Sequence, residues 1–376
     1  MAPIYRSLIT ADPWDELVED SYLCIDVLSI TPNQALSIYF YLRHEIDLSC
    51  QNSRILTWAA GYNHFHVVQL LLPVLGIDPT VECLAFRFAI VRGHLEVVKL
   101  LFCDPRVDPS ANDDIAIKCA VYYSRPAIVK LLLTDPTVDP TVDNDFAVIT
   151  ACETGNMEIL QRLLAHPAVH VEARNNLAFQ YAAKGGHLDI VKLLLSLDKV
   201  DPSANNNSAI AQASQNGHLE VVKTLLSDSR VDPSAHDDRC LLLASRNGHV
   251  EVAKLLLSDS RVSLRNQHDL SPLTHACEFN HTEVVRVLLK DPRLETSPVS
   301  DVHLSFCLQR AVAFGNVEML RLLLEKHHSV SSFTIEGFIQ LAQESGLVEV
   351  VKVLNDYNSK NLFKCIVQGI FGYHPA

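Results

Sequence analysis

The sequence predicts an all-α chain, a solenoid of about ten to eleven stacked helix pairs with short connectors. Three observations carry that prediction. A phrase recurs, clearest at Gly217-His218-Leu219-Glu220-Val221-Val222-Lys223 and restated from Gly93, Gly186 and Gly248. The positions equivalent to its histidine fall at 64, 94, 125, 156, 187, 218, 249, 281, 316 and 347, in steps of 30, five of 31, then 32, 35 and 31. A fixed period of this size marks a stacked repeat array. Finally, the copies are punctuated alike, all but the one at Ser124: a short run of small residues, a glycine or asparagine, then an apolar helix-period run.

Residues 1–46 lack the full phrase. Trp14 to Leu28 mixes apolar and acidic residues at helical spacing, and Thr31-Pro32-Asn33 introduces an apolar stretch from Ala35 to Leu42. This reads as a degenerate first repeat that caps the array, because a terminal unit has one face in water. From Asp47 the units begin near 47, 78, 108, 139, 170, 201, 232, 263, 295 and 330, and the array runs through residues 47–357.

The unit at 201–231 shows how each is built. Asp201-Pro202 opens an extended turn, since proline turns its predecessor away from helix. Asn205-Asn206-Asn207 suits the left-handed region or Asx turns. Ser208 to Gln215 forms a first helix whose Ala209, Ala211 and Ala213 allow close approach, and Asn216-Gly217 ends it in a left-handed C-terminal position. A second helix from His218 carries the apolar stripe Leu219, Val221, Val222, Leu225 and Leu226. Glu220 and Lys223 can pair on its wet side. By the same logic Gly93, Gly155, Gly186, Gly217, Gly248, Gly315 and Gly346 should be left-handed, with Asn63 and Asn280 in the same slot. Ser124, beside Pro126, should be the remodelled exception. The unit at 263 has one extra residue and the unit at 295 has four, around residues 296–303. Residues 358–376 form a C-terminal capping helix and tail, with a break expected at Asn358-Ser359-Lys360-Asn361 before a final helix from Leu362 to Phe371.

Composition narrows the function classes. A formal charge of −13 opposes a nucleic-acid backbone binder, which needs clustered Lys and Arg, and leans toward a basic protein partner. The ten cysteines are scattered without a Cys-x-x-Cys pair, and Cys119, Cys152 and Cys277 sit in apolar helices as small reduced hydrophobes. No apolar leader, membrane-length run or lipidation signal occurs, so a cytosolic protein is expected, with the nucleus an open alternative. The sequons at Asn206 and Asn280 are then accidental.

No phosphate-binding loop, nucleophile elbow, dinucleotide fingerprint or His-Glu-x-x-His is present. The column His64, His94, His187, His218, His249 and His281 cannot hold one metal. Equivalent residues of stacked helices lie roughly 8–10 Å apart, whereas metal–nitrogen bonds are about 2 Å. A histidine bonding backbone at the inter-helix turn is the reading adopted. The Asp-Pro pairs at 78, 108, 139, 201 and 232 are a whole repeat apart, too far for a calcium loop, and read as turn formers. No cofactor, metal or catalytic residue is implied.

Taken together, a helix, a Gly-His turn, an apolar helix of the Gly-His-Leu-Glu-Val-Val-Lys-Leu-Leu-Leu type and an Asp-containing connector resemble ankyrin repeats. Only Ser271-Pro272-Leu273-Thr274 approaches the family's Thr-Pro-Leu-His opening, and the connector before the first helix is shorter than the family's. The resemblance implies a solenoid with shortened fingers and a non-catalytic protein-interaction scaffold, monomeric, that binds a protein partner but neither nucleic acid nor membrane. It also implies that residues just before the turn glycine point into a concave groove: Tyr62, Arg92, Tyr122, Tyr123, Glu153, Lys184, Gln215, Arg246, Glu278, Phe279 and Phe314. Phe279 and Phe314 could instead fold inward. Two other functions stay open: a substrate adaptor of a ubiquitin ligase, recruiting through residues 1–46, and an enzyme with a site near residues 296–303.

Overall fold

A computed structural model describes residues 52–73, 79–80, 83–262, 272–293, 301–326 and 332–371. The expected N-terminal cap and residues 263–271 and 294–300, with most of the 296–303 insertion, lie outside the described residues. All described elements are helices, without a strand among them. None of those helices is long and apolar enough to cross a membrane. The chain divides into two compact units, Met1–Ala173 and Arg174–Ala376.

In the first unit the helices are α1 (Asn52–Gly61), α2 (Phe65–Leu71), α3 (Leu84–Arg92), α4 (Leu95–Phe102), α5 (Ala111–Tyr122), α6 (Pro126–Leu132), α7 (Val142–Glu153) and α8 (Met157–Leu164). The first helices of successive repeats, α1, α3, α5 and α7, pack in one row, and the second helices α2, α4, α6 and α8 in another. Ala89, Ala120 and Ala151 are fully buried at the centres of the first row, where a small residue lets backbones approach. Val98, Leu101, Val129, Leu132, Leu160 and Leu163 close the second row.

The second unit repeats this plan. It comprises α9 (Ala173–Gly185), α10 (Leu188–Leu195), α11 (Ala204–Gln215), α12 (Leu219–Leu226), α13 (Ala235–Arg246) and α14 (Val250–Leu257). After these come α15 (Pro272–Glu278), α16 (Thr282–Leu289), α17 (Asp301–Ala313), α18 (Val317–Lys326), α19 (Ser332–Glu344) and α20 (Val348–Phe371). Here α11, α13, α15, α17 and α19 stack in order, as do α10, α12, α14, α16, α18 and α20. The break expected at 358–361 is absent, and α20 runs through it. That segment holds polar residues but no glycine or proline, and the Ser359 hydroxyl donates to the Asn355 carbonyl at 2.8 Å without interrupting the helix.

The shortened finger is a left-handed turn. In α5, α7, α9, α11 and α13 the residue after the first alanine or valine begins three consecutive left-handed residues, and the regular helix starts only after them. In α11 these are Asn205, Asn206 and Asn207, with φ of 54°, 55° and 61°. In the other four runs ten of the twelve residues are Asn or Asp (Asn112, Asp113, Asp114, Asp143, Asn144, Asp145, Asn175, Asn176, Asp237, Asp238), the types that best tolerate this region. The third side chain of each run is buried, and in the first four runs it reaches the next repeat. Asp114 accepts the Asp139 N–H and Asp145 the His170 N–H, both at 3.0 Å. In the second unit Asn176 accepts from Asp201 at 3.0 Å and Asn207 from Asp232 at 2.8 Å. Burial pushes the Asp114 and Asp145 carboxyls above their usual range, against the pull of those N–H donors.

The four described aspartates of the Asp-Pro pairs form Asx turns, as expected, while Asp78 lies outside the described residues. Asp201 Oδ1 takes the Ser203 N–H at 2.9 Å and hydroxyl at 2.7 Å, and Asp108, Asp139 and Asp232 do the same with Ser110, Thr141 and Ser234. A second device appears where the sequence reads Asp-x-Arg. Asp228, Asp259 and Asp291 hold Arg230, Arg261 and Arg293 two residues on, at 2.6 to 2.7 Å. Each arginine then donates to a carbonyl of the preceding repeat, Val200, Val231 or Val262. Asp104 and Arg106 do so in the first unit, toward Leu72. The guanidinium hydrogen bond holds all four carboxyls below the usual range.

Cys119, Cys152 and Cys277 are buried and unpaired by disulfide. Burial pushes the Cys119 thiol up to about 11 and the Cys152 thiol to about 12, which keeps both protonated and inert.

Candidate partner-binding face

Every predicted glycine slot is left-handed: Gly93, Gly155, Gly186, Gly217, Gly248, Gly315 and Gly346 have φ between 64° and 79°, and Asn63 and Asn280 lie at 62° and 61°. Ser124 is left-handed too, at 54°, so the expected remodelling there does not occur. This common turn ends each first helix in the same way.

The histidines are spent on holding that turn. His94 Nε2 lies 2.9 Å from the Gly61 carbonyl, and His218, His249 and His281 bond the carbonyls of Lys184, Gln215 and Arg246 at the same distance. The backbone reached is that of the preceding repeat's turn, a link between repeats. At two positions where histidine is replaced, the link survives by other chemistry. Arg125 Nη2 donates to Val91 O at 2.8 Å, and Asn316 Nδ2 donates to Asn280 Oδ1 and Thr282 Oγ1 at 2.7 Å. Asn156 and Asn316 also cap their own helices, accepting from Ile159 N and Met319 N. Burial and the neighbouring His94 hold the His64 imidazole below its usual range. No group of three metal-ligating side chains occurs among the described residues.

The predicted row lies at the C-terminal ends of the first helices. In the first unit Tyr62, Arg92 and Glu153 are exposed, while Tyr122 and Tyr123 are half-buried. The two tyrosine rings meet edge to face at 5.2 Å, and Tyr62 lies beside Trp58 at 6.1 Å. In the second unit Lys184, Gln215 and Arg246 are exposed and Glu278 half-buried. Phe279 and Phe314 do not fold inward: they are 42% and 46% exposed. A guanidinium covers each, Arg246 lying 5.1 Å from the Phe279 ring centre and Arg310 5.0 Å from that of Phe314. Thus Arg246, Glu278, Phe279 and Phe314 share a neighbourhood. Lys184 lies over Tyr181 at 5.4 Å.

Two residues of this neighbourhood were not in the predicted row. Arg310 and the exposed Phe306 precede Phe314 by one and two turns on α17. The i, i+4, i+8 spacing of Phe306, Arg310 and Phe314 was the available signal.

A family model described as ankyrin repeats (3 copies) matches residues 56–144, 117–207, 148–237, 210–299 and 241–335. No curated protein matches in sequence. Among solved structures, the human ASB11 ankyrin repeat domain is 22% identical, with 48% of this chain and 82% of that chain covered at a TM-score of 0.38. With the matches running from 56 to 335 over paired helices and left-handed Gly-His turns, this chain belongs to the ankyrin repeat family.

Proposed function

We propose that the chain is a non-catalytic scaffold that binds a protein partner through the row before the turn glycines. One contrast carries the reading. The second-helix positions Val97/Val98, Val221/Val222 and Val284/Val285 repeat almost unchanged and are buried, whereas the row changes from tyrosine to arginine, glutamate, lysine and phenylalanine and is largely exposed. Packing demands uniformity and recognition demands variety. Exposed aromatics beside arginines are also the residue types that dominate binding hot spots. The protein acts as a monomer in the cytosol or nucleus, without cofactor, nucleic acid or membrane. The adaptor reading would need a recruiting element in residues 1–46, outside the described residues.

The test replaces Arg92, Tyr122, Tyr123 and Arg246 with alanine and compares co-purifying proteins with those of the parent chain. Selective loss of partners at an unchanged melting temperature supports the row. An unchanged set of partners places binding elsewhere.

A further inference from the structure

On the second unit, side chains from three successive repeats converge on the last turn of α15. Arg246, from α13, lays its guanidinium 5.1 Å from the Phe279 ring centre. Arg310, from α17, donates Nη2 to the Glu278 carbonyl at 3.2 Å and lies 5.0 Å from the Phe314 ring centre. Both guanidiniums therefore sit against the consecutive residues 278 and 279. Neither makes an ion pair with a carboxylate among the described residues. The arginines of the Asp-x-Arg clamps, by contrast, are all paired.

Resting on the proposed row, we infer that this cluster docks an acidic partner segment that carries an aromatic or large aliphatic side chain. The apolar side chain would lie between Phe279 and Phe314, and its neighbouring carboxylates would meet Arg246 and Arg310. Charge complementarity decides the occupant. The whole chain carries −13, which would draw a basic partner by its general field. Here two guanidiniums stand against the single half-buried carboxylate of Glu278, so the local sign is reversed. A guanidinium stacked on an aromatic ring keeps its N–H edges free for a carboxylate while the ring excludes water. An α-helix C-terminus explains why cations gather at residue 278, but it does not call for two exposed phenylalanines beside them.

The experiment selects a phage-displayed library of random peptides on the full chain, then measures the affinity of enriched peptides for variants. Enrichment of peptides with acidic residues flanking an apolar one is expected. Arg246→Gln should weaken them about tenfold and Glu278→Gln should strengthen them, whereas Arg321→Gln on α18 leaves them unchanged. Arg310→Lys, with its charge kept, guards against loss of fold in a neutral variant, and melting temperatures check each protein. Opposite responses, weakened by Glu278→Gln and strengthened by Arg246→Gln, would overturn the acidic partner in favour of a basic one while leaving the row intact. Enriched peptides indifferent to every substitution in the row would overturn both.

Discussion

His249 lies across Gly217. A Cβ built on Gly217 would fall 2.5 Å from His249 Nδ1, while Nε2 of the same ring bonds the Gln215 carbonyl at 2.9 Å. The glycine therefore answers two demands at once: a left-handed φ of 76° and room for the next repeat's imidazole.

Gly217→Ala should cost about 1–2 kcal/mol from left-handed strain alone, with a further loss as His249 is displaced. In a double-mutant cycle with His249→Ala the two changes should be less than additive, because the steric part vanishes with the ring. Strict additivity in urea melts would show that the ring and the glycine act separately.

Asp145→Asn should raise the stability at neutral pH. Burial lifts the Asp145 carboxyl above its ordinary value, so its contribution is fully present only below the unfolded-state value and is lost as pH rises through the folded one. Asparagine keeps the acceptor without the charge, as Asn176 and Asn207 do at the equivalent place. Melting temperatures compared at about pH 4 and pH 7 should show the variant's gain at the higher pH only.

The Asp-x-Arg clamps have the opposite sign. Their carboxyls are held low, so their stabilisation is present above about pH 4 and lost as pH falls through the folded values. Asp291→Asn should flatten part of that acid limb and leave the neutral region less stable. Arg293→Ala should cost roughly 1–2 kcal/mol, because it strands the Val262 and Leu257 carbonyls that the arginine now serves. Urea midpoints followed against pH check both.

Asn206 is exposed and left-handed, at φ 55°. Asn206→Val should lose about 1–2 kcal/mol of stability, and Asn206→Gly should be neutral or better. Equal melting temperatures for the two variants would contradict the left-handed finger.

Most of the helix plan was legible because its signals are local: glycine or asparagine at each turn, small residues in the first helix, an apolar stripe in the second. The finger was half legible, since Asn205-Asn206-Asn207 suits a left-handed turn, but nothing local says that Asn207 will bond Asp232. The same limit hid the far end of each histidine bond, as with His218 and Lys184 O, 34 residues apart. It also hid the use of Arg125 for the same task. Ser124 keeps the left-handed turn despite its own propensity and the nearby Pro126, with the Arg125 bonds to Val91 O and the packed helices on either side holding it. On the row, positions could be carried over from the resemblance, whereas Arg310 over Phe314 depends on rotamers that only packing sets.

In the proposed function the second helices pack and the row before the turn glycines recognises. Hydroxyl-radical footprinting of the chain, free and bound to a partner retained by the parent protein, tests it most directly. Protection should concentrate on Tyr122 and Tyr123 or on Phe279 and Phe314, with the second-helix residues Met157, Leu188 and Leu255 unchanged. Protection of those second-helix residues, with the row's aromatics still fully reactive, would contradict it.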